Sequence, residues 1–248
     1  MKKAISETFL HTIDSTQLHA KRLFHDTSSP LWRAVIAETQ TAGQGQYSRK
    51  WHSPLNNLYT TFVFPFPTTK LESLPCITQV AAVSVCQALE TFNVKSQIKW
   101  KNDVMINRKK ICGILAEAES IGENTLVFTG IGVNVNMTAE ESKEINQPTT
   151  SLKMELGKEI DKKLVYERIR DQFMMNIDVF VEKGFIDFLS YINKNSVSFG
   201  KIVKVAEDGY MAKGEFLGLD QRGFMVLKTD TGSLVVVSSG QMIMEDMK

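Results

Sequence analysis

Past residue 195 the chain changes texture. Short apolar runs at 201–206, 211–219, 224–228 and 233–237 are divided by polar turns that end in Gly209, Gly223 and Gly232. Short, evenly spaced strands with glycine turns predict a small β-barrel. About 50 residues bury too little apolar surface to be stable alone, so this barrel must pack on what precedes it. The layout expected is therefore two domains, residues 1–195 and 196–248.

The larger part mixes the two periodicities. Residues 14–24 read as a short helix capped by Asp14 or Ser15. Residues 31–39 and 58–64 read as strands, and residues 75–92 as a helix with Pro75 in its first turn. Short strands follow at 97–100, 104–106, 111–117 and 126–135, the last a possible sheet edge and so a possible dimer contact. Helices are expected over 162–182 and 185–192. This is an α+β pattern: a mixed sheet with helices.

Composition narrows the function. Hydrophobic residues make up 43% and charged residues 23% of the 248, which suits a chain that buries a core. Twenty-nine basic against 28 acidic residues leave a net charge of +1, so no global basic field advertises DNA. Any anion must be held by local arrangement. Cys76, Cys86 and Cys112 have no CxxC spacing and read as buried thiols of a reducing, cytoplasmic compartment. Glu7, His11 and Asp14 interrupt any leader-like apolar run, and no stretch approaches the roughly 18 apolar residues of a membrane span. There is no P-loop, no GxGxxG, no GxSxG and no HExxH. His11, His19, His25 and His52 lack metal-ligand spacing.

Two segments carry chemistry. In residues 40–54, Gly43 and Gly45 offer positive φ and close backbone approach. Arg49 and Lys50 add charge beside them, and Trp51 adds a flat face. That mixture suits a nucleotide, and equally a solvated loop around a buried tryptophan. In residues 99–117, Asn102 and Asp103 stand where one strand hands over to the next, able to hold a base edge and a magnesium ion. Lys110 enters a strand where it can place a point charge on a carboxylate or phosphate. Taken alone, this second segment reads more readily as a charged hairpin.

Together the segments resemble the biotin protein ligases. The family's Gly-rich GRGRxxR-type loop ending in tryptophan is matched by Gly43-Gln-Gly-Gln-Tyr-Ser-Arg-Lys-Trp51. Its Lys-Trp-Pro-Asn-Asp is matched by Lys99-Trp-Lys-Asn-Asp103, and its Arg-Lys-Leu-x-Gly-Ile-Leu by Lys109-Lys-Ile-Cys-Gly-Ile-Leu115. Asp14-Ser-Thr-Gln17 is similar to the family's Asp-Ser-Thr-Asn, and Gly130-Ile-Gly-Val-Asn-Val-Asn136 to its Gly-Ile-Gly-Ile-Asn-Val-Asn. The resemblance implies a catalytic domain related to class II tRNA synthetases and to the biotin and lipoate ligases, with an SH3-like C-terminal domain. It implies attachment of biotin, through biotinyl-AMP and with ATP and magnesium, to a lysine of a biotin carboxyl carrier domain, by default that of acetyl-CoA carboxylase. Some members add an N-terminal DNA-binding winged helix; with a first motif at Asp14, a ligase without DNA binding is expected, as a monomer or homodimer.

The same resemblance implies site roles. Lys110 and Arg49 would be catalytic. Ser15, Thr16, Gln17, Gln40, Gly43, Gln44, Gln46, Lys110 and Gly113 would face biotin, with Gly130 and Gly132 letting its rings and chain lie on the sheet. Gln46, Arg49, Lys50, Trp51, Asn102 and Asn134 would face ATP, and Asp103 would organise magnesium. The rival readings are a lipoate or octanoate ligase and a biotin-binding module without catalysis. Gln44 and Gln46 depart from the family's arginines. A hydrogen bond to a charged group is worth about 1.5–3 kcal/mol against about 0.5–1.5 for a neutral pair, so two lost charges predict looser adenylate retention. Lys101, in place of the family's proline, is a candidate compensation. Gln46→Arg is then expected to reduce biotin labelling of a non-carrier bystander protein, and undiminished labelling contradicts the reading.

Overall fold

The computed structural model describes residues 4–24, 31–121, 124–207 and 209–244, arranged in two sheets with helices between and around them. His25 lies outside the described residues. In chain order the larger part contains β1 (Ile5–Ile13), α1 (Thr16–Leu23), β2 (Trp32–Gln40), β3 (Leu58–Phe66), α2 (Ile77–Glu90), β4 (Gln97–Lys99), β5 (Asp103–Ile106), β6 (Lys109–Ile121) and β7 (Asn124–Val133). It continues through α3 (Ala139–Ser142), α4 (Leu152–Leu156), α5 (Lys162–Lys183) and α6 (Ile186–Lys194). The first sheet has the order β1-β2-β3-β7-β6-β5-β4, with β1 parallel to β2 and the other pairs antiparallel. The mixed sheet is as expected. Strand β1 was not foreseen, and β7, read as a possible edge, lies between β3 and β6, so it presents no free edge for a dimer.

The sheet's two faces are covered unequally, and this creates the site. On one face, alternate residues of β2 and β3 (Trp32, Ala34, Ile36, Phe62, Phe64) join the main core beneath α2 and α5. Trp32 stacks on Phe64 at 4.3 Å, and Phe173 of α5 packs edge-on against both rings. Helix α2 is buried on nearly every side, as an apolar-all-round helix must be. On the other face Val35, Val63, Leu126 and Phe128 meet Ala20 of the short helix α1. Eight residues of helix cannot cover a seven-stranded sheet. The remainder of that face, over β7, β6 and β5, is left to the Gly-rich loop.

The C-terminal part forms a five-stranded antiparallel sheet of the SH3-like kind: β8 (Ile202–Glu207), β9 (Tyr210–Leu219), β10 (Met225–Lys228), β11 (Leu234–Val237) and β12 (Gln241–Met244), in the order β11-β10-β9-β8-β12. Strand β12 was not anticipated. Val203, Phe216, Met225 and Leu227 belong to the same apolar cluster as the first sheet's core, so the small sheet does lean on the large part. The junction is also polar: the Gly223 carbonyl accepts from Gln79 Nε2 at 2.8 Å and from Trp100 Nε1 at 3.1 Å. Cys76, Cys86 and Cys112 are free and buried, and burial pushes the Cys76 and Cys86 thiols up to about 12, so neither is a nucleophile at neutral pH.

Asparagine side chains fix the chain after β7. Asn57 Oδ1 accepts from the backbone N–H groups of Val135, Asn136 and Met137 at 2.8, 3.1 and 3.0 Å. Asn136 pairs with both backbone groups of Ile160. Asn57→Ala strands the buried donors of Val135 and Met137, while Asn136 N keeps the Asn56 carbonyl at 3.1 Å, and is expected to cost about 2 kcal/mol, read as a lower denaturant midpoint. Asn57→Asp, which keeps the acceptor, retains most of that stability. An unchanged midpoint for Asn57→Ala contradicts this role.

Candidate active site

The register of the large sheet sets a row of residues across four strands. Tyr59 of β3 pairs with Gly132 of β7, Gly132 with Gly113 of β6, and Gly113 with Asp103 of β5. Beside it runs a second row, Thr61, Gly130 and Leu115. Facing glycines leave a flat, side-chain-free patch on the face that α1 does not cover. The N-terminus of α1 brings Ser15, Thr16 and Gln17 to one side of the patch, and the Gly-rich loop brings Gln44, Gln46 and Trp51 to the other.

Two of the first cavity's amides, Gln17 and Gln40, already hold protein partners. Gln40 Oε1 accepts from Thr16 N at 2.8 Å and Thr16 Oγ1 at 3.1 Å, while its Nε2 donates to Ser53 Oγ at 3.0 Å. Gln17 donates to Glu117 at 2.8 Å and to the Phe128 carbonyl at 3.2 Å. A Cβ at Gly130 would stand 2.9 Å from Gln17 Oε1, so that glycine makes room for Gln17 and not for a ligand. Thr61 closes the network by donating towards Thr16 Oγ1 at 2.9 Å. Gly43 has no positive φ; a Cβ there would lie 2.7 Å from Ser53 Oγ and from the Trp51 carbonyl, so close approach is what it provides. Gly45 is extended as well (φ −119°), and the left-handed positions are Tyr47 and Ser48, both at 57°. The sequence expectation had placed that freedom on the glycines.

Trp51 occupies the glycine patch. A Cβ on Gly113 would meet its Cζ3 at 2.7 Å, and one on Gly132 its Nε1 at 2.7 Å. Its Nε1 is buried without a partner. With the indole there, the first cavity keeps only about 60 Å³ of open space. Ligand pockets run from roughly 300 to 1,000 Å³. The expected seat for a ring on Gly113 and Gly132 is thus filled by this chain's own tryptophan.

Lys110 joins the first cavity to a second one of about 560 Å³. Its Nζ lies 2.7 Å from Asp103 Oδ1 and 5.1 Å from the Trp51 ring centroid. Its backbone is held by residues 148–150, with Lys110 N donating to the Pro148 carbonyl (2.9 Å) and Thr150 N to the Lys110 carbonyl (3.0 Å). Asn134 reaches neither cavity: its Nδ2 donates to the Thr150 carbonyl at 3.0 Å, so it stands behind Lys110 and does not touch the space where a nucleotide would lie. Asn102 lines both cavities while its Nδ2 is taken by the Ile114 carbonyl at 3.0 Å, leaving Oδ1 as the free acceptor.

The second cavity is lined by Arg49, Lys50, Lys99, Lys101 and Lys110 against one carboxylate, Asp103. Its far wall is residues 145–147 and 240–242, which sequence reasoning did not select and which carry no motif signal. Arg49 Nη2 donates to Gln241 Oε1 at 2.6 Å, tying the loop to β12. Burial holds Lys99 below the ordinary lysine range, opposed by Asp103 and reinforced by Lys110 and Arg49. Burial also lowers Lys101. Among the described residues no cluster of three or more His, Cys, Asp or Glu could form a metal cage. Gly132→Ala is expected to dislodge the indole, with a red-shifted and more quenchable Trp51 emission relative to a Trp51→Phe control. An unchanged spectrum contradicts the seat.

The family model described as the biotin/lipoate A/B protein ligase family matches residues 9–136, and that of the biotin protein ligase C terminal domain matches residues 198–244. The bifunctional ligase/repressor BirA of Bacillus subtilis is 31% identical over 230 residues, covering 92% of this chain and 70% of the relative. The biotin–[acetyl-CoA-carboxylase] ligase of Paracoccus denitrificans is 27% identical, covering 90% of this chain and 94% of the relative. A biotin protein ligase from Aquifex aeolicus, solved in complex with biotin and ATP, is 31% identical with a TM-score of 0.81 and coverage of 96% of this chain and 97% of that one. Matched in both its parts and along nearly its whole length by the Aquifex enzyme, this chain belongs to the biotin protein ligase family.

Proposed function

We propose that this chain attaches biotin to a lysine of an acceptor protein in two steps, using ATP. The observation that carries the reading is Lys110, the one cationic side chain that lines both a polar, amide-lined cavity and a strongly cationic one. Its site is built to hold a neutral polar ring system on one side and a polyanion on the other. A lipoyl ring offers no hydrogen-bonding partners to the amides and hydroxyls of Ser15, Thr16, Gln40 and Gln44, so they favour biotin's ureido group.

In this mechanism biotin's ureido end meets Ser15, Thr16, Gln40 and the backbone at Gly43, and its chain runs over Gly113 toward Lys110. Trp51 leaves the glycine floor to admit it and closes over the adenine, whose edge Asn102 Oδ1 can contact. Two anions must then approach, the biotin carboxylate and the α-phosphate. The Lys110 ammonium between them lowers that repulsion and stabilises charge that builds at phosphorus. The carboxylate oxygen bonds to the α-phosphorus, the bond to the β-phosphate oxygen breaks, and pyrophosphate departs into the cationic cavity. The acceptor lysine, as a free amine, then attacks the acyl carbon. AMP leaves, and the amine's proton is lost to solvent or to the leaving phosphate.

Magnesium commonly takes one or two carboxylates plus substrate phosphates and not a preformed protein cage. Asp103 fits that demand as the one carboxylate in the cavity wall, once Lys110 turns from it to the substrates; the metal would add charge neutralisation on the phosphates. The acceptor is the biotin carboxyl carrier domain of acetyl-CoA carboxylase, supported by the Paracoccus relative's name. Residues 1–195 would carry catalysis and residues 196–248 would close the phosphate end.

Pyrophosphate–ATP exchange on purified protein, with biotin and lipoate offered separately, tests the reading. Exchange is expected with biotin alone, and Lys110→Met is expected to slow it about 100-fold or more while the fold is kept. Exchange with lipoate alone overturns the substrate, and biotin binding without exchange overturns the enzyme reading in favour of a binding module.

A further inference from the structure

The second cavity holds more positive charge than its one carboxylate can balance, and its cations differ in what already holds them. Lys110 is paired with Asp103 at 2.7 Å, and Arg49 is hydrogen-bonded to Gln241 at 2.6 Å. Lys99 and Lys101 line the same cavity from the end of β4 and the turn before β5. Among the described residues neither has a carboxylate within ion-pairing distance. Lys101 feels Glu207 of β8 only at longer range, and Glu207 already accepts from Ser239.

Such a lysine is costly to leave unmatched. Lys101 is only partly exposed, and its ammonium lies 5.9 Å from the ring of Trp100, which is itself 6% exposed and fixed by its Nε1 donating to the Gly223 carbonyl. Its stem therefore rests on a rigid indole at the seam between the two sheets, and its charge faces about 560 Å³ of open space. A partly buried charge on a cavity lined by four other cations, with no carboxylate paired to it, calls for an anion from outside.

We propose that Lys101, paired with Lys99, is a phosphate-binding residue for the β- and γ-phosphates of ATP and for the pyrophosphate they become. This rests on the ligase reading above and adds to it the division of the cationic wall. Lys110 serves the α-phosphate, at the passage between the cavities. Lys101 and Lys99 serve the leaving group, against the C-terminal sheet. Lys101 thereby restores, from the turn between β4 and β5, charge that Gln44 and Gln46 do not provide from the loop.

The test is calorimetric titration of the full chain and of Lys101→Met, which keeps the stem on Trp100, with four probes: MgATP, magnesium pyrophosphate, biotinyl-AMP and biotin. A charged hydrogen bond predicts affinity for MgATP and pyrophosphate about tenfold or more weaker in Lys101→Met. Biotin and biotinyl-AMP, which lack the leaving phosphates, are expected to bind within about twofold of wild type, and Lys101→Arg to bind all four nearly as wild type does. Unchanged MgATP and pyrophosphate affinities in Lys101→Met overturn the proposal alone. Equal weakening of all four probes, with a lowered melting temperature, overturns it in favour of a packing role on Trp100. Wild-type protein that binds neither biotin nor MgATP overturns the ligase reading, and this proposal with it.

Discussion

The pairing of Gly113 with Gly132 across β6 and β7 is the constraint on which the site depends. Side chains alternate along a strand, so this register also decides that the neighbouring pair, Cys112 and Val133, points into the core beneath α2. A slip of one residue would exchange the two faces, burying the glycines and pushing that pair onto the ligand side. Because two glycines meet, an aromatic plane can lie directly on the backbone. Because Asp103 pairs with Gly113 on the next strand, the patch ends at the carboxylate that holds Lys110. Geometry at the reacting centre is thus inherited from backbone hydrogen bonds of a buried sheet, among the stiffest parts of a protein.

Around that rigid floor the walls are made of parts with different stiffness. The N-terminus of α1 is held by a closed network through Gln40, Ser53 and Thr61, so the amide-lined end is preorganised. The Gly-rich loop closes on itself through Gly45 N to the Arg49 carbonyl and Trp51 N to the Gly43 carbonyl, and it meets the rest of the site through Trp51 on the glycines and the Arg49–Gln241 hydrogen bond. This is the part that must move, since the indole fills the space a ligand needs. The third wall comes from the C-terminal sheet, and it is fixed through a shared apolar cluster and the Gly223 carbonyl. A small sheet that could not be stable alone is also what completes the cationic cavity.

Charge tells the same story at a different scale. A chain with a net charge of +1 nevertheless lines one cavity with four lysines and an arginine. Their mutual repulsion in a partly buried space is visible in the depressed Lys99, pushed down by burial and by Lys110 and Arg49. A polyanion removes that cost on binding, so the site gains affinity from a strain it carries when empty.

Much of this could be read from the sequence. The glycine turns after residue 195 set a second, dependent β part, and the order of five short motifs along residues 14–136 identified the family. The helical and strand periodicities of the long elements also came through, because packing needs those periods. Other features did not. Strand β1 has mixed burial on both faces, so its alternation carries little signal. Asn134 looks like a ligand contact within its motif, yet its amide is spent on the Thr150 carbonyl, and only the folded chain brings residue 150 to it. The seat of the Trp51 indole on Gly113 and Gly132 was not foreseen, because it depends on contacts between residues more than sixty apart. The sequence by itself determined which residue types are available and which segments are strands or helices, since these are local properties of the chain. Which cations face one cavity, which glycines make a floor, and which amides are already satisfied were decided only by the tertiary structure, because register and cross-sheet packing set them.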